Sequence, residues 1–192
     1  VNMKKPLTAA DFKLPVDPGL DGVNLTAHVI GVVEGQAPTK HLTMPVQAEE
    51  GEIKIDLQRD LVKIALVERH KGTGGVVVGL VTGFGLEGKC ALGSTVAHDS
   101  HHMIVVGTDE EQMALAANHL ADMNGGQVVV KDGEVIGSVA LPIAGLMSNK
   151  HAEEVAKEAA SVLDGFQACG CEIINPNMQL SLLALVVIPE LR

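Results

Sequence analysis

Aromatic side chains are nearly missing from this chain, and their scarcity restricts its core more than any other feature of the sequence. The 192 residues include Phe12, Phe84 and Phe166 but no Trp and no Tyr, although 46% of them are hydrophobic. The interior therefore has to be built from Val, Leu, Ile, Ala and Met, a composition that favours sheets with helices laid on them. A chain of this length buries about two-thirds of its unfolded surface, which is enough for one substantial domain.

Hydrophobic periodicity predicts strands over much of the chain. Alternation with period two indicates strands with one buried face, whereas the denser runs 61–68 and 76–81 are typical of strands buried on both faces. Asp132-Gly133 lies between two apolar runs and predicts a hairpin with a type I′ turn. The predicted strands cover 24–33, 44–47, 53–55, 61–68, 76–81, 102–106, 128–130 and 135–139.

Two helices are predicted in the second half of the chain. Thr108 and Glu111 form a capping box before the first helix, and Ser148 caps the second. Their apolar stripes are Met113, Ala116, Ala117 and Leu120 in the first helix, and Ala152, Val155, Ala156, Ala159, Leu163 and Phe166 in the second. The last apolar stretch, 178–188, is either a buried strand or a short helix, and we favour the strand. The predicted fold class is α/β (α+β), with mixed β-sheet layers and two or three packed helices.

Composition also limits the partners and the compartment. The formal charge of −10 repels polyphosphates, and three Phe offer little stacking surface, so nucleic acid is not an expected partner. No apolar run approaches the roughly 20 residues that span a bilayer. Cys90, Cys169 and Cys171 are too few for a disulfide framework, which is typical of a reducing compartment. We therefore expect a cytoplasmic protein with no membrane partner.

The first 22 residues differ from the rest of the chain. They contain three Pro and two Gly without periodicity, a pattern typical of an extended segment that is not a folded element. We expect residues 1–22 to be a lead-in from an upstream part of the protein, and residues 23–192 to form the domain itself.

One polar segment concentrates the candidate functional residues. The string TGFGL (82–86) and the string TVAHDSHH (95–102) place Gly, His, Asp and Ser between buried strands. Unpaired polar groups are costly to bury, so these side chains either bond one another or face a ligand or a solvent-filled cleft. His98, Asp99, Ser100 and His101 thus either form a hydrogen-bonded loop that ties two strands together or close a binding site.

Two further interpretations stay open at this point. A metal site on His98, His101 and His102 is one, although adjacent strand residues point to opposite faces, so His101 and His102 could not share an ion without a bend. Phe84, between two Gly, either stacks on a ligand or fills the core at a tight turn. By contrast, His151-Ala152-Glu153 with Cys169 and Cys171 does not fit the zinc deaminase signature, since only one residue separates the two cysteines.

Several long strings resemble the C-terminal region of bacterial adenine deaminases of the amidohydrolase superfamily. The resemblance covers nearly the whole chain, with one departure: the family usually has Asn after the HDSH string, where this chain has His102. The strings that carry it are TGFGL, TVAHDSHH, VVGT followed by DEEQMALAANHL, GGQVVVKDG, LPIAGLMS and LALVVIPEL.

The resemblance implies a metal-dependent hydrolysis of adenine and water to hypoxanthine and ammonia. It also implies a manganese or iron pair held by a (β/α)₈ barrel that begins with an HxH motif. This chain contains no HxH motif, and a barrel needs roughly 250 residues. We therefore expect the barrel upstream, and we assign no catalytic residue, metal ligand or cofactor to this chain.

Three hypotheses on function follow. The first is a structural domain of an adenine deaminase that closes the active site, with His98, Asp99, Ser100, His101 and Phe84 as the closing candidates, the upstream barrel as its partner and adenine as the substrate. The second is a non-catalytic interaction module that supports homodimerisation. The third is a free-standing enzyme that uses the loop from His98 to His101.

Overall fold

The computed structural model describes residues 1–191 and consists of a nine-stranded mixed sheet with helices on both faces. The strand order is β3-β2-β1-β5-β4-β7-β6-β8-β9. Every neighbouring pair is antiparallel except β1 and β5, which are parallel and share only the register pairs Ile30↔Val81 and Gly31↔Thr82. This arrangement confirms the predicted fold class.

The elements follow one another in this order. The strands are β1 (Asn24–Gly31), β2 (Lys40–Glu49), β3 (Glu52–Ile53), β4 (Val62–Val67), β5 (Val76–Thr82), β6 (Cys90–Ser94), β7 (Met103–Gly107), β8 (Gly126–Lys131) and β9 (Glu134–Ala140). The helices are α1 (Glu110–Asp122), α2 (Ala152–Ala168) and α3 (Pro176–Leu182), and short 3₁₀ turns cover Ala9–Phe12, Pro18–Leu20 and Leu57–Arg59.

Two hydrophobic cores lie on opposite faces of the sheet, and a third, smaller core packs β1, β2 and β3 against Leu61 and Leu80. Helix α1 packs its stripe, which includes Met113 and Leu120, against one face, while Val162 and Phe166 of α2 and Leu180 of α3 pack against the other. Alternate residues of the strands supply these two cores, as the period of two requires: Ile64 belongs to the core with α2 and α3, and Ala65 to the core with α1. The molecule thus has three layers around a core of aliphatic side chains.

The strand predictions hold for most of the sheet, with two corrections. The β8–β9 hairpin is confirmed, and both turn residues, Asp132 and Gly133, have positive φ as a type I′ turn requires. Strand β5 is not buried on both faces, because the side chain of Val77 is 73% exposed. Strand β6 was not predicted, because its sequence CALGS is short and lacks a β-branched run.

The helix caps differ from the prediction. Asp109, not Thr108, caps α1 and accepts hydrogen bonds from the backbone N–H groups of Glu111 and Gln112. Thr108 instead accepts a hydrogen bond from Cys90 N at 2.9 Å, so its hydroxyl ties the strand to the helix start. Helix α2 begins after His151, which makes no side-chain cap, so the prediction that Ser148 caps it is wrong.

The second predicted stripe is only partly buried. Leu163 is exposed, and the contacts with the sheet are made by Val162, Gly165 and Phe166. A Cβ on Gly165 would lie 2.9 Å from the Cβ of Val129. This glycine therefore permits the close approach of helix and strand.

The last apolar stretch forms helix α3, so the favoured strand is wrong and the alternative of a short helix is correct. The side chain of Asn175 accepts a hydrogen bond from Met178 N, and Pro176 occupies the first helical position, where its missing N–H costs nothing. Residues 183–191 contain no further helix or strand.

The first 22 residues pack onto the domain, which corrects the prediction of a segment without folded elements. Phe12 is fully buried in the core on the α1 face, and Leu7 lies beside it. The backbone of Leu7 exchanges two hydrogen bonds with the side-chain amide of Asn118, at 2.9 and 2.8 Å. Burial of a Phe side chain stabilises a fold by about 1.5–3 kcal/mol, which explains why the segment is ordered.

Candidate functional site

The segment 95–102 is the loop between β6 and β7, and we call it the HDSH loop. It lies at the end of the sheet where β4 is followed by β5 and where β9 ends. The strand pairing shows this, since Ser94 pairs with Ile104 next to the loop. Val67, at the end of β4, pairs with Met103 and with Val76. Three other segments meet it there: the turn 68–75, the loop 141–147 and the first two residues of the chain.

Thr95 anchors the start of the HDSH loop. It is fully buried, its hydroxyl donates to Gly145 O at 2.7 Å, and the same oxygen accepts from Gly126 N at 2.8 Å. Its backbone N–H donates to Gly126 O at 2.9 Å. These bonds join the HDSH loop to both the start of β8 and the loop 141–147.

His98 connects the HDSH loop to helix α3. Its Nδ1 lies 2.5 Å from the hydroxyl oxygen of Ser181, and its backbone N–H donates to Ser181 O at 3.1 Å. Ser181 is 1% exposed, so the contact is shielded from water on the helix side. His98 is thus hydrogen-bonded to a helix and does not tie two strands together.

His101 turns the chain back on itself. It has a φ of 51°, its backbone N–H donates to Ala97 O at 2.7 Å, and its Nδ1 accepts from Ala97 N at 3.3 Å. Burial, followed by the positive charges of His98 and Arg69, lowers the pKa of His101 below its ordinary value. The imidazole of His101 is thus neutral near pH 7, which agrees with an Nδ1 that accepts a hydrogen bond.

His102 does not join the other loop histidines. Its ring lies 4.8 Å from the ring of His70, centroid to centroid, whereas the rings of His98 and His101 lie 5.5 Å apart. The Nδ1 of His102 is buried and has no hydrogen-bond partner within residues 1–191. Burial and the charge of His70 lower the pKa of His102.

Asp99 and Ser100 are the exposed members of the HDSH loop. Neither side chain forms a hydrogen bond with another group in the described part of the chain, although the carbonyl of Ser100 lies 2.8 Å from the Nε2 of His70. A carboxylate and a hydroxyl are therefore presented to the outside by a loop whose two ends are fixed.

Phe84 lies elsewhere, in the core between the sheet and helices α2 and α3. It is 1% exposed, and the turn around it is held by Asp60, whose carboxylate accepts from Gly83 N at 2.5 Å and Gly85 N at 2.9 Å. Of the two interpretations of Phe84, the structure favours the core residue.

Arg69, like Ser181, belongs to the site although no sequence pattern predicted its role. It follows β4, is 5% exposed, and its guanidinium donates from Nε to His101 O at 2.6 Å and from Nη2 to Ala144 O at 2.9 Å. A single Arg at the end of a β-branched run was the only signal in the sequence. Arg69 joins the HDSH loop to the loop 141–147.

A cleft of about 480 Å³ opens beside these groups, and we call it the Arg69 cleft. Among its lining residues are Val1, Asn2, Arg69, His70, Ser100 and His101. Asn2 is held there by a hydrogen bond from its backbone N–H to Arg69 O at 2.8 Å. The first residues of the chain thus form one wall of the cleft and the HDSH loop forms another.

No group of three or more His, Cys, Asp or Glu is placed to hold a metal ion anywhere in residues 1–191. The separation of His102 from His98 and His101 argues against the metal site on those three residues. In the same residues, no helix is long and apolar enough to cross a membrane.

The fold and the HDSH loop together define an α/β domain with a polar, histidine-rich loop at one end of a mixed sheet. Residues 36–192 match the family model of the adenine deaminase C-terminal domain, and the chain belongs to that family. The resemblance predicted from the sequence strings is therefore confirmed.

Similar proteins are named adenine deaminase. The whole chain is 55% identical to one from Ruegeria sp. (strain TM1040), 54% to one from Paracoccus denitrificans (strain Pd 1222) and 43% to one from Moorella thermoacetica (strain ATCC 39073 / JCM 9320). Each alignment covers 100% of this chain but only 31 or 32% of the relative. The chain thus spans about a third of the length of the relatives that it matches.

Proposed function

We propose that this chain is the C-terminal part of an adenine deaminase and that it closes the active site of an upstream barrel. In this proposal the whole protein converts adenine and water to hypoxanthine and ammonia. The manganese or iron of that reaction would be held by the upstream barrel, because the residues described here do not form a metal-binding group.

The observation that carries the proposal is the position of Val1 beside the HDSH loop. The relatives are about three times as long as this chain, which covers 31% of their length. In a protein of that length, the residues before Val1 would continue from the wall of the Arg69 cleft. The covalent connection would therefore bring the upstream part next to Ser100 and His101.

The chemistry of the HDSH loop suits a closing role. Asp99 and Ser100 are exposed and have free hydrogen-bonding capacity, while His98 and Arg69 hold the backbone of the loop in place. Fixed polar groups can bond the edge of a purine and exclude water without a large ordering cost. We propose residues 1–22 as the connection to the barrel and residues 23–192 as the closing domain.

The test is a pair of substitutions in the full-length protein, His98→Ala and Asp99→Ala, assayed by adenine-dependent ammonia release. We expect kcat/KM to fall by roughly tenfold or more, the size of effect that a lost positioning or hydrogen-bonding group produces. Asp164→Ala, an exposed carboxylate on α2, is the matched control and should leave kcat/KM unchanged. A folded Asp99→Ala protein with unaltered kcat/KM would refute the closing role.

A second candidate function, homodimerisation, is favoured by an exposed apolar surface. Val77 of β5 is 73% exposed and Val187 is 75% exposed. Val77 and Val186, the residue before Val187, line the same groove of about 380 Å³. Contiguous apolar surface of this kind is typical of protein interfaces. Light scattering on the parent chain and on its Val187→Asp variant measures the oligomeric state. A dimeric parent that becomes monomeric in Val187→Asp would support homodimerisation, and a monomeric parent chain would refute it.

We also infer a cytoplasmic location. Cys90, Cys169 and Cys171 are buried and free, which fits a reducing compartment.

A further inference from the structure

Arg69 is a buried cation without a carboxylate partner in residues 1–191. Its two hydrogen bonds go to backbone carbonyls, and its Nη1 donates to no atom of the described chain. A guanidinium carries five N–H donors, so several of its donors are unused. Arg69 lines the cleft, and none of its nitrogens is a buried atom without a partner, so the unused donors are open to a partner from outside residues 1–191.

The unused donors are held in a fixed position. Gly145 has a φ of 75°, and a Cβ at this residue would lie 2.7 Å from Nη2 and 2.8 Å from Nη1 of Arg69. Only glycine leaves room for the guanidinium at this place. The carbonyls of His101 and Ala144 fix its orientation. The donors are therefore preorganised for a planar acceptor.

The Arg69 cleft differs in charge from the rest of the molecule. None of the residues that line it is acidic, although the whole chain has a net charge of −10. A positively charged cleft in an acidic molecule attracts an anion more strongly than it attracts a neutral group. Adenine is a neutral purine, so it does not match the charge of this cleft.

We propose that the Arg69 cleft receives a carboxylate side chain from the part of the protein that precedes Val1. Arginine binds carboxylates through two parallel hydrogen bonds, which gives both strength and a defined orientation. Val1 lies in the wall of the cleft, so the upstream part is tethered where the carboxylate has to arrive. This ion pair would lock the HDSH loop onto the upstream part, and the inference rests on the proposed function for the presence of that part.

A zero-length cross-link in the full-length protein tests the contact. A carbodiimide joins an amine to a neighbouring carboxylate, whereas a guanidinium does not react, so the parent protein is the control for Arg69→Lys. We expect the substituted amine to become linked to an Asp or Glu upstream of Val1, as identified by mass spectrometry. A link to an acid within residues 1–192 or to a second copy of the chain, or the absence of a link, would overturn the proposal.

Hydrogen exchange separates this role from a purely structural one. Arg69→Gln removes the charge in both the full-length protein and the 192-residue chain, and exchange is measured over residues 95–102. We expect the increase in exchange rate to be roughly tenfold larger in the full-length protein, because both proteins lose the bonds to His101 O and Ala144 O but only the full-length protein also loses the ion pair with the carboxylate. Equal increases in the two proteins would contradict the proposal. Arg59→Gln, whose partner Asp56 lies on the same turn, is the matched control.

Adenine-dependent ammonia release keeps the two proposals apart. A full-length protein that is inactive on adenine, but whose Arg69→Lys variant forms the expected link, would refute the proposed function and leave the carboxylate contact standing. An active protein without the link would refute the contact alone.

Discussion

Two buried cations lie near opposite ends of strand β4, and their surroundings differ. Lys63, near the start of the strand, is 2% exposed and pairs with Glu52 and with Glu110, the latter at 2.5 Å. Arg69, just beyond the end of the strand, is 5% exposed and meets only carbonyl oxygens. The Lys63 end is neutralised by its own chain, and the Arg69 end is not.

The difference suggests that the Lys63 end of the sheet contributes to stability and that the Arg69 end contributes to function. The ion pairs of Lys63 join β3, β4 and α1, so their charges compensate one another inside the domain. The Arg69 end carries the HDSH loop, two histidines with lowered pKa values and the cleft beside Val1. Uncompensated charge and perturbed pKa values concentrate at functional sites, which supports the assignment of that end.

The largest effect on stability should come from Lys63→Ala. This substitution leaves Glu52 buried without its main partner, and breaking a buried ion pair in this way costs about 3–5 kcal/mol. Chemical denaturation of the 192-residue chain measures the free energy of unfolding. A control with Lys63→Met, Glu52→Gln and Glu110→Gln together should recover most of the loss, because no charge is then left alone. A cost below about 1 kcal/mol for Lys63→Ala would show that the Lys63 ion pairs do not hold this end of the sheet together.

Arg69→Met should destabilise the isolated chain less than Lys63→Ala does. The carbonyls of His101 and Ala144 lose their donors, but a buried charge without a carboxylate partner is removed at the same time. We expect a net loss of about 1–2 kcal/mol in the same denaturation experiment. If this loss equalled that of Lys63→Ala, the charges at the two ends of β4 would contribute equally to stability, contrary to expectation.

Acid should act on the two ends in sequence. Burial lowers the pKa of His101 below its ordinary 6.5, so the unfolded chain binds protons more readily and stability falls as the pH drops through 6.5. Burial alone would raise the pKa of Glu52, but the bonds of Glu52 to Lys63 and Lys13 hold that pKa below 4.5. The contribution of Glu52 to the free energy of unfolding is therefore present above pH 4.5 and is lost as the pH falls further. Hydrogen exchange between pH 7 and 3 should show the HDSH loop opening first. Because the pKa of His102 is lowered too, the double substitution His101→Gln and His102→Gln should remove the first step and leave the second, whereas a single step in the parent chain would contradict this order.

Ser181→Ala should have the smallest effect on stability, and that effect should be confined to the Arg69 end of the sheet. It removes the side-chain partner of His98, and a single hydrogen bond of this kind contributes about 0.5–1.5 kcal/mol. Exchange should increase in the HDSH loop but not around Lys63. Ser161→Ala on α2, whose hydroxyl bonds only Glu158 O, serves as the control.

The sequence predicted the sheet well wherever a strand has a local signature. The β-branched runs and the Asp132-Gly133 turn are such signatures, and they led to β4, β7 and the β8–β9 hairpin. Strand β6 has none, because Gly93 and Ser94 are poor strand formers that are placed by their neighbours β7 and β8. Helix α3 was ambiguous because a short apolar run has no distinguishing period.

The candidate site was predictable only as a string of polar residues. The bonds that organise it join residues far apart in the sequence: Arg69 meets Ala144, 75 positions away, and His98 meets Ser181, 83 positions away. No local pattern encodes such contacts, so the roles of Arg69 and Ser181 could not be inferred. Phe84 shows that a local pattern can also mislead, because the Gly-Phe-Gly string suits ligand contact but the Phe side chain is buried in the core.

The parallel pairing of β1 with β5 extends over only two register pairs, whereas β4 is bonded along its length on both sides. A short seam of this kind has few hydrogen bonds to break, so the ribbon of β1, β2 and β3 depends on the Glu52–Lys63 ion pair and on the core that it shares with Leu61 and Leu80 to stay on the sheet. Once that ion pair is broken, as in Lys63→Ala, heating should open the ribbon before the rest of the sheet. The part of the sheet that bears the histidine loop would keep its shape through openings that already expose the ribbon.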